Sequence, residues 1–259
     1  MPASGDTYHL DDMEMYVETR GDGAPLVLLH GFTGSGADWR WVFKEPPQGY
    51  RLIVPDLRGH GRSTNPSMQF THRQSALDVF AMLDRLEIAQ FKAIGMSAGG
   101  KTLLHMATQQ PQRVDAMVLV SAAHYFPAEA RVLMAQMTVE RQSEAEWALM
   151  RQCHTHGDEQ IRALWQQGNA FKDSYDDMNF TPPYLSTIAA RTLIVHGDRD
   201  PFYPVRIPME MYASIPRSYL WIIPNGGHGP IFGEASEQFA TTAMAFLNGD
   251  WDQAADAVP

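Results

Sequence analysis

The chain has 259 residues, of which 44% are hydrophobic and 19% are charged, and its formal net charge is −10. This balance excludes a disordered chain and suits one large α/β domain, or a core with a small insertion. The excess of acidic groups gives no attraction to phosphate backbones or anionic membranes, so we expect neither nucleic acid nor membrane as a partner. The single cysteine, Cys153, and a polar start without a signal-peptide pattern favour a cytoplasmic protein.

Short apolar runs recur along the chain and predict buried strands of a mostly parallel sheet. They lie at 26–29, 52–54, 91–94, 114–120, 193–195 and 219–223, after a weaker alternating stretch at 13–19. Helical patterns separate them. Thr71 and Gln74 predict a capping box ahead of an apolar face that includes Leu77 and Phe80, and 239–247 has one apolar face at helical spacing. The alternation of strand and helix predicts an α/β fold.

One interval, 121–191, breaks this alternation because it contains no convincing strand. Two helix-like blocks, at 144–152 and 158–168, occupy it instead. We predict a helical cap at 123–188 over a core formed by 1–122 and 189–259, with ordinary connecting helices as the alternative. The polar tail at 250–259 is expected to fray.

A G-x-S-x-G pattern joins a predicted strand to a predicted helix. It reads Gly95-Met96-Ser97-Ala98-Gly99. A nucleophilic serine has to project from a very tight turn, where flanking glycines let strand and helix approach each other. The turn also puts Ser97 at a helix amino terminus, which favours developing negative charge. The pattern therefore predicts a nucleophile, with a glycine-rich structural turn as the alternative.

A serine nucleophile needs a base and an acid that orients the base. Two polar segments follow predicted strands: one contains Asp198 and Asp200, and the other contains His228 in a glycine-rich loop. The order Ser97, Asp200, His228 is the one expected for this kind of turn on a parallel sheet. We choose Asp200 as the acid because Asp198 lies too close to the strand end and more plausibly braces the turn.

Other histidines compete for the role of base. His30 and His196 lie at strand ends beside glycines and suit structural roles. His154 and His156 are two residues apart, a spacing that fits neither one helix face nor a metal site without further ligands. We therefore predict no metal site and retain His228 as the base.

Four motifs occur in order along the chain. They are His30-Gly31-Phe32-Thr33-Gly34, the 56–63 stretch DLRGHGRS, the stretch 95–99, and the 197–200 stretch with Gly227-His228. With these motifs the chain resembles the α/β-hydrolase superfamily over nearly its whole length, and in particular its serine carboxylesterase-like members with a helical cap.

The resemblance implies an α/β-hydrolase fold and a cofactor-free serine hydrolase. It implies that the backbone N–H groups of Phe32 and Ala98 form an oxyanion hole. It also implies that Ser97 attacks, that His228 transfers the proton, and that Asp200 orients the imidazole. The 56–63 motif is expected to shape a loop under the site, braced by Arg58.

Several chemistries share this set of residues. Ser97 argues against haloalkane dehalogenases and epoxide hydrolases, which resemble this layout but use an aspartate nucleophile. Carbon–carbon bond hydrolases share a tryptophan like Trp39, but they usually carry Asn where Trp41 stands and Trp where Gly229 stands. Ester hydrolysis is therefore preferred. Carbon–carbon bond hydrolysis, lactone hydrolysis, perhydrolysis and, outside enzymes, a ligand-binding receptor stay open, as does a homodimer.

Bulky apolar side chains predict the nature of the substrate. The interval expected to roof Ser97 is rich in Met and aromatic residues, which favours small to medium apolar acyl groups. We expect two or three of the roof residues to face the pocket. The candidate pocket residues are Met96, Phe126, Met134, Trp147, Trp165 and Phe202.

Overall fold

A single twisted sheet organises residues 5–251, the part of the chain that the computed structural model describes. Its strands are β1 (Gly5–His9), β2 (Glu14–Arg20), β3 (Ala24–Leu29), β4 (Tyr50–Pro55), β5 (Phe91–Met96), β6 (Val114–Val120), β7 (Arg191–Gly197) and β8 (Ser218–Ile223). Their order is β1-β2-β4-β3-β5-β6-β7-β8. The ladders from β4 to β8 are parallel, whereas β2 runs antiparallel to both β1 and β4.

Helices cover both faces of the sheet. They are α1 (His72–Arg85), α2 (Ala98–Gln109), α3 (Ala128–Met134), α4 (Glu144–Cys153), α5 (Asp158–Ala170), α6 (Pro182–Leu185), α7 (Arg206–Ser214) and α8 (Ser236–Asn248). In β3, Val27 and Leu29 pack into the apolar cluster shared with α1, α2 and α7, while Leu26 and Leu28 pack into the one shared with α8. Burial on both faces explains why the strand sequences are continuously apolar.

The α/β-hydrolase fold predicted from the sequence is confirmed. Each predicted apolar run lies within an observed strand, and the weaker stretch at 13–19 begins one residue before β2. Strand β1 was not predicted because its residues are mostly polar and lie at the sheet edge. The capping box is half right. The Thr71 side chain accepts the N–H of Gln74 at 3.0 Å, but the Gln74 side chain bonds Asp78 instead. Leu77 was wrongly placed on the buried face, since its side chain points to solvent.

Between β6 and β7 the described chain forms helices α3 to α6, and its one strand-like contact there is an isolated bridge between Tyr125 and Asn179. The division into a core and a cap at 123–188 stays a prediction. Most of the tail expected to fray, 252–259, lies outside the described residues. Among residues 5–251, no helix is both long and apolar enough to cross a membrane.

Candidate active site

The turn after β5 holds Ser97 in an unusual backbone conformation. Ser97 has φ +48° and ψ −107° and directly precedes α2. A Cβ on Gly95 would lie 2.6 Å from the carbonyl of Gly99, and a Cβ on Gly99 would lie 2.1 Å from the Leu29 carbonyl oxygen. Such distances are impossible for real side chains, so glycine is required at both positions for helix and strands to meet this closely.

Three side chains from separate loops form a continuous hydrogen-bonded chain. His228 Nε2 lies 2.9 Å from Ser97 Oγ, and His228 Nδ1 lies 2.7 Å from Asp200 Oδ2. Because an ionised carboxylate can only accept, Nδ1 carries the proton and Nε2 is free to accept the serine hydroxyl. Ser97 and Asp200 are buried, at 7% and 8% exposed, whereas the His228 side chain between them is 24% exposed. The sequence-predicted acid, base and nucleophile are therefore brought together.

The environment of Asp200 keeps its carboxylate ionised. Burial alone raises the pKa of Asp200, but the hydrogen bond and attraction of His228 and the N–H of Phe202 outweigh it and lower the pKa. Its second oxygen accepts the backbone N–H groups of Phe202 (2.8 Å) and Tyr203 (3.1 Å). Asp198, by contrast, has its carboxylate 3.6 Å from Arg199 Nε and makes no hydrogen bond to His228.

Two backbone N–H groups lie beside the serine without protein acceptors. The neighbouring groups are engaged, since Ser97 N–H bonds the Val120 carbonyl and Gly99 N–H bonds the His30 carbonyl. Within residues 5–251, the N–H groups of Phe32 and Ala98 bond no carbonyl or side chain of the chain. Free backbone donors beside a nucleophile, one of them the first residue of α2, are suited to an oxyanion.

The remaining histidines are occupied elsewhere. His30 Nε2 accepts the N–H of Leu57, and His196 Nε2 bonds the carbonyl of Tyr203. His154 joins α4 to the core, because its Nδ1 accepts the N–H of Gly61 while its Nε2–H donates to the Thr33 carbonyl. Burial lowers the pKa of His154 to about 4, which keeps this tautomer neutral. The described residues contain no group of three or more potential metal ligands.

Hydrogen bonds of Asp56 and Arg58 hold the 56–63 loop in place. Asp56 accepts the N–H groups of Gly36 and Arg62. Arg58 is 2% exposed and bonds both Asp78 and Asp12, which places it as the brace of this loop.

A groove of about 680 Å³ opens beside the serine, between the core loops and α4 and α5. Its walls are mostly apolar. They are formed by Gly31, Phe32, Thr33, Gly34, Asp38, Trp41, Lys44, Met96, Glu146, Leu149, Met150, Cys153, Trp165, Phe232, Gly233 and Ser236. A groove of this size fits a small-molecule acyl or alkyl group.

Two of the predicted pocket residues, Met96 and Trp165, line this groove. The other four do not. Phe126 and Met134 are buried in the main core cluster, and Trp147 packs with α5 inside the helical interval. Their side chains fill the interior because each helix needs an apolar face against its neighbours. Phe202 covers the ring of His228 at 4.8 Å between ring centroids.

Sequence reasoning missed several residues of the site. The groove walls Trp41, Leu149 and Phe232 come from segments distant in sequence, and no local pattern marks them. Lys101 and Tyr203, which lie behind Asp200 and bond each other at 2.8 Å, were also missed. A lysine inside an otherwise apolar helix face, one turn after Ser97, was the signal that could have identified the first of them.

The fold and this geometry agree with comparisons to known proteins. Residues 24–185 match the family described as "alpha/beta hydrolase fold". The chain belongs to this family, which is a family of hydrolase enzymes.

Two curated relatives are similar over most of their length. A 2-hydroxy-6-oxo-6-(2'-aminophenyl)hexa-2,4-dienoic acid hydrolase of Metapseudomonas resinovorans is 25% identical, over 90% of this chain and 88% of its own. A pimeloyl-[acyl-carrier protein] methyl ester esterase of Nitrosomonas europaea is 26% identical, over 88% and 97%.

Two solved structures share the fold. A meta-cleavage product hydrolase from Pseudomonas fluorescens superposes with a TM-score of 0.75 at 21% identity, covering 92% of this chain and 95% of its own. An enol-lactonase from Burkholderia xenovorans gives 0.76 at 20% identity, covering 94% and 100%.

Proposed function

We propose that the protein is a serine hydrolase that cleaves small to medium, mostly apolar carboxylic esters through an acyl-enzyme. The observation that carries the proposal is the hydrogen-bonded chain from Ser97 through His228 to Asp200, with distances of 2.9 and 2.7 Å. These distances fit proton transfer from a hydroxyl to an imidazole that a carboxylate holds in the correct tautomer. The groove beside Ser97 supplies a place for the acyl or alcohol part of the ester.

The reaction follows from the positions of the atoms. His228 Nε2 takes the Ser97 proton as Oγ attacks the ester carbonyl carbon, and the oxyanion that forms accepts the N–H groups of Phe32 and Ala98. The imidazolium, stabilised by Asp200, then returns its proton to the departing alkoxide, which leaves as the alcohol. A water molecule, deprotonated by the same imidazole, attacks the acyl carbon and releases the carboxylic acid and the free serine.

Ser97→Ala tests the nucleophile. We expect the variant to lose ester hydrolysis by a factor on the order of 10⁴, because only binding and the oxyanion hole would remain. The measurement is kcat/KM on p-nitrophenyl butyrate, with purified wild type as the reference. A fluorophosphonate should label wild-type Ser97, identified by mass spectrometry of the digest, and should leave the variant unlabelled.

Repeated turnover separates an enzyme from a receptor of the same fold. We expect many equivalents of p-nitrophenol per protein. A single equivalent followed by no release would contradict the proposal, as would a Ser97→Ala variant that keeps more than about a tenth of the activity.

The comparisons favour one second candidate, carbon–carbon bond hydrolysis, because a relative of 25% identity is a hydrolase of a hexadienoic acid. Against it stand Trp41, which lines the groove and is 72% exposed, and Gly229 directly after His228. A screen of esters, lactones and vinylogous diketones with one enzyme preparation decides between the two. If kcat/KM for a diketone exceeds that for every ester and lactone, carbon–carbon bond hydrolysis replaces ester hydrolysis as the proposed function.

A further inference from the structure

Lys101 is a buried amine on the helix that begins beside the nucleophile. It lies one turn after Ser97 in α2, and its backbone N–H donates to the Ser97 carbonyl at 2.9 Å. Its side chain is in the interior, where the residue is 4% exposed. Burying an ammonium group away from water costs free energy unless other groups stabilise it. The contacts of Lys101 therefore indicate its role.

The partner of Lys101 is a residue of the catalytic turn. Lys101 Nζ donates to the hydroxyl of Tyr203 at 2.8 Å and lies 5.1 Å from that ring and 5.3 Å from the ring of Phe126. Tyr203 is 2% exposed, and its own N–H donates to Asp200 Oδ1 at 3.1 Å. The Tyr203 ring also packs against the ring of His228, with 5.6 Å between centroids. The lysine is thus connected to the acid and base through one tyrosine.

Titratable side chains from several elements surround Lys101. Burial lowers the pKa of Lys101 to about 7, and attraction to Asp177 and Asp200 opposes this. The titratable groups of this region are His72 on α1, His105 on α2, Asp177 before α6, and His196, Asp200, Tyr203 and His228 at the ends of β7 and β8. Both carboxylates that face the lysine are themselves buried.

We propose that Lys101 is a positioning residue for the proposed reaction: its Nζ donates to the Tyr203 hydroxyl and so fixes the Asp200 turn to the helix of Ser97. The inference rests on the proposed function for its kinetic part and on the hydrogen bonds of Lys101, Tyr203 and Asp200 for its structural part. None of the substrate-binding groups is involved, since Lys101 acts through Tyr203 and Asp200.

One consequence follows from this arrangement. The tether keeps the acid and the nucleophile at a fixed separation, so its loss should lower the rate of the chemical step rather than substrate binding. Its loss should also disturb the hydrogen bond between Asp200 and the His228 imidazole.

Three variants test the tether. Tyr203→Phe removes the hydroxyl and leaves the Lys101 amine, the ring and the backbone donor in place. Lys101→Met removes the side-chain donor while keeping an unbranched chain of similar volume. Lys101→Arg restores a donor. Folding of each is checked by circular dichroism and thermal unfolding. The readouts are the NMR resonance of the His228 Nδ1 proton at one fixed pH, which reports its hydrogen bond to Asp200, and the kcat and KM for p-nitrophenyl butyrate.

We expect Tyr203→Phe and Lys101→Met each to shift or broaden the resonance of the His228 Nδ1 proton and to lower kcat about tenfold with little change in KM. Lys101→Arg should restore both. An unchanged resonance in both variants, or a Tyr203→Phe variant with wild-type kcat, would overturn the inference. If wild type does not hydrolyse esters, the proposed function fails, while the NMR resonance still tests the tether.

Discussion

Ser97 shows how a single residue carries both strain and chemistry. Its φ of +48° is unfavourable for a residue with a side chain, and conformations of this kind cost about 1–3 kcal/mol. The cost is met by the close packing of α2 against β3 and β5, which only Gly95 and Gly99 permit. The strained turn points Oγ at His228 and leaves the N–H of Ala98 unbonded, so one backbone conformation serves both nucleophile and oxyanion hole.

At the same scale, Asp200→Asn should be far more damaging than Asp198→Asn. An amide at position 200 would present a donor to His228 Nδ1, turn the ring to the wrong tautomer and fail to stabilise the imidazolium, with a loss of about 10⁴ in kcat. Asp198→Asn is the matched control, because its side chain contacts Arg199 and not His228. Both variants are assayed on p-nitrophenyl butyrate. A folded Asp198→Asn variant that is the less active of the two would show that the wrong acid has been chosen.

At the scale of elements, Asp177 attaches the segment before α6 to the start of α1. Its carboxylate accepts the backbone N–H groups of His72 (2.8 Å) and Arg73 (3.0 Å), and it bonds His72 Nδ1 at 2.6 Å. It therefore caps α1 from a distance of more than a hundred residues in sequence. Burial by itself raises the pKa of Asp177, but attraction to His72 and the hydrogen bonds from His72 and His105 outweigh it and hold the pKa well below 3.8.

Asp177→Asn should lower the free energy of unfolding by about 2 kcal/mol at pH 7, because an amide cannot satisfy the same donors. Since the folded-state pKa is depressed, the ionised Asp177 stabilises the fold above pH 3.8. Its contribution is lost as the pH falls toward the folded-state value. The difference in unfolding free energy between wild type and Asp177→Asn should thus narrow below pH 3.8, by at most about 1.4 kcal/mol per pH unit.

Urea unfolding at several pH values measures this gap. Asp176→Asn is the matched control, because Asp176 is the exposed neighbour and only its backbone carbonyl is bonded, to Arg73. A gap that stays constant from pH 6 to pH 3, or a control that loses as much stability as Asp177→Asn, would contradict the role assigned to Asp177.

At the scale of the whole molecule, the groove lies between the core and helices α4 and α5. Its inner end is formed by Phe32 and Met96 beside the buried Ser97, and its outer rim includes Leu149, which is 61% exposed. His154 and Gln160 bond the loop at 59–61 and hold these helices against it. The groove is thus formed by elements that meet only in the folded chain.

The length of this groove predicts how the rate depends on acyl length. Each buried methylene contributes roughly 0.8 kcal/mol at most, so kcat/KM should rise from p-nitrophenyl acetate to butyrate or hexanoate. It should then stop rising and fall by palmitate, because the end of an extended chain of sixteen carbons passes the exposed rim at Leu149, where it gains no burial and loses conformational freedom. We expect no rise in rate on emulsified substrate. A preference for palmitate, or activation at an oil–water interface, would contradict a groove that ends at this rim.

The rim residue Leu149 offers a sharper version of this test. Leu149→Ser should lower kcat/KM for hexanoate more than for acetate, because only the longer chain reaches the rim. Val132→Ser is the matched control, since Val132 is also 61% exposed on a helix of the same interval but lies outside the groove. Equal losses on both esters in Leu149→Ser, or a hexanoate-specific loss in Val132→Ser, would show that the groove does not hold the acyl chain.

The sequence alone determined seven of the eight strands described and the three residues of the hydrogen-bonded chain, Ser97, His228 and Asp200. Strand positions were readable because buried parallel strands require continuous apolar runs, and β1 was not because an edge strand does not. Ser97, Asp200 and His228 were readable because each lies in a short motif at the end of a predicted strand. Parallel strands bring those ends to one edge of the sheet.

Only the tertiary structure decided which side chains line the groove and which support the acid. Phe126 and Trp165 have similar apolar character in the sequence, yet one is buried in the core and the other faces the groove. Helix orientation and the meeting of distant loops set that difference, and no local pattern encodes them. The same holds for Lys101 and Asp177, whose side chains bond partners 102 and 105 residues away along the chain.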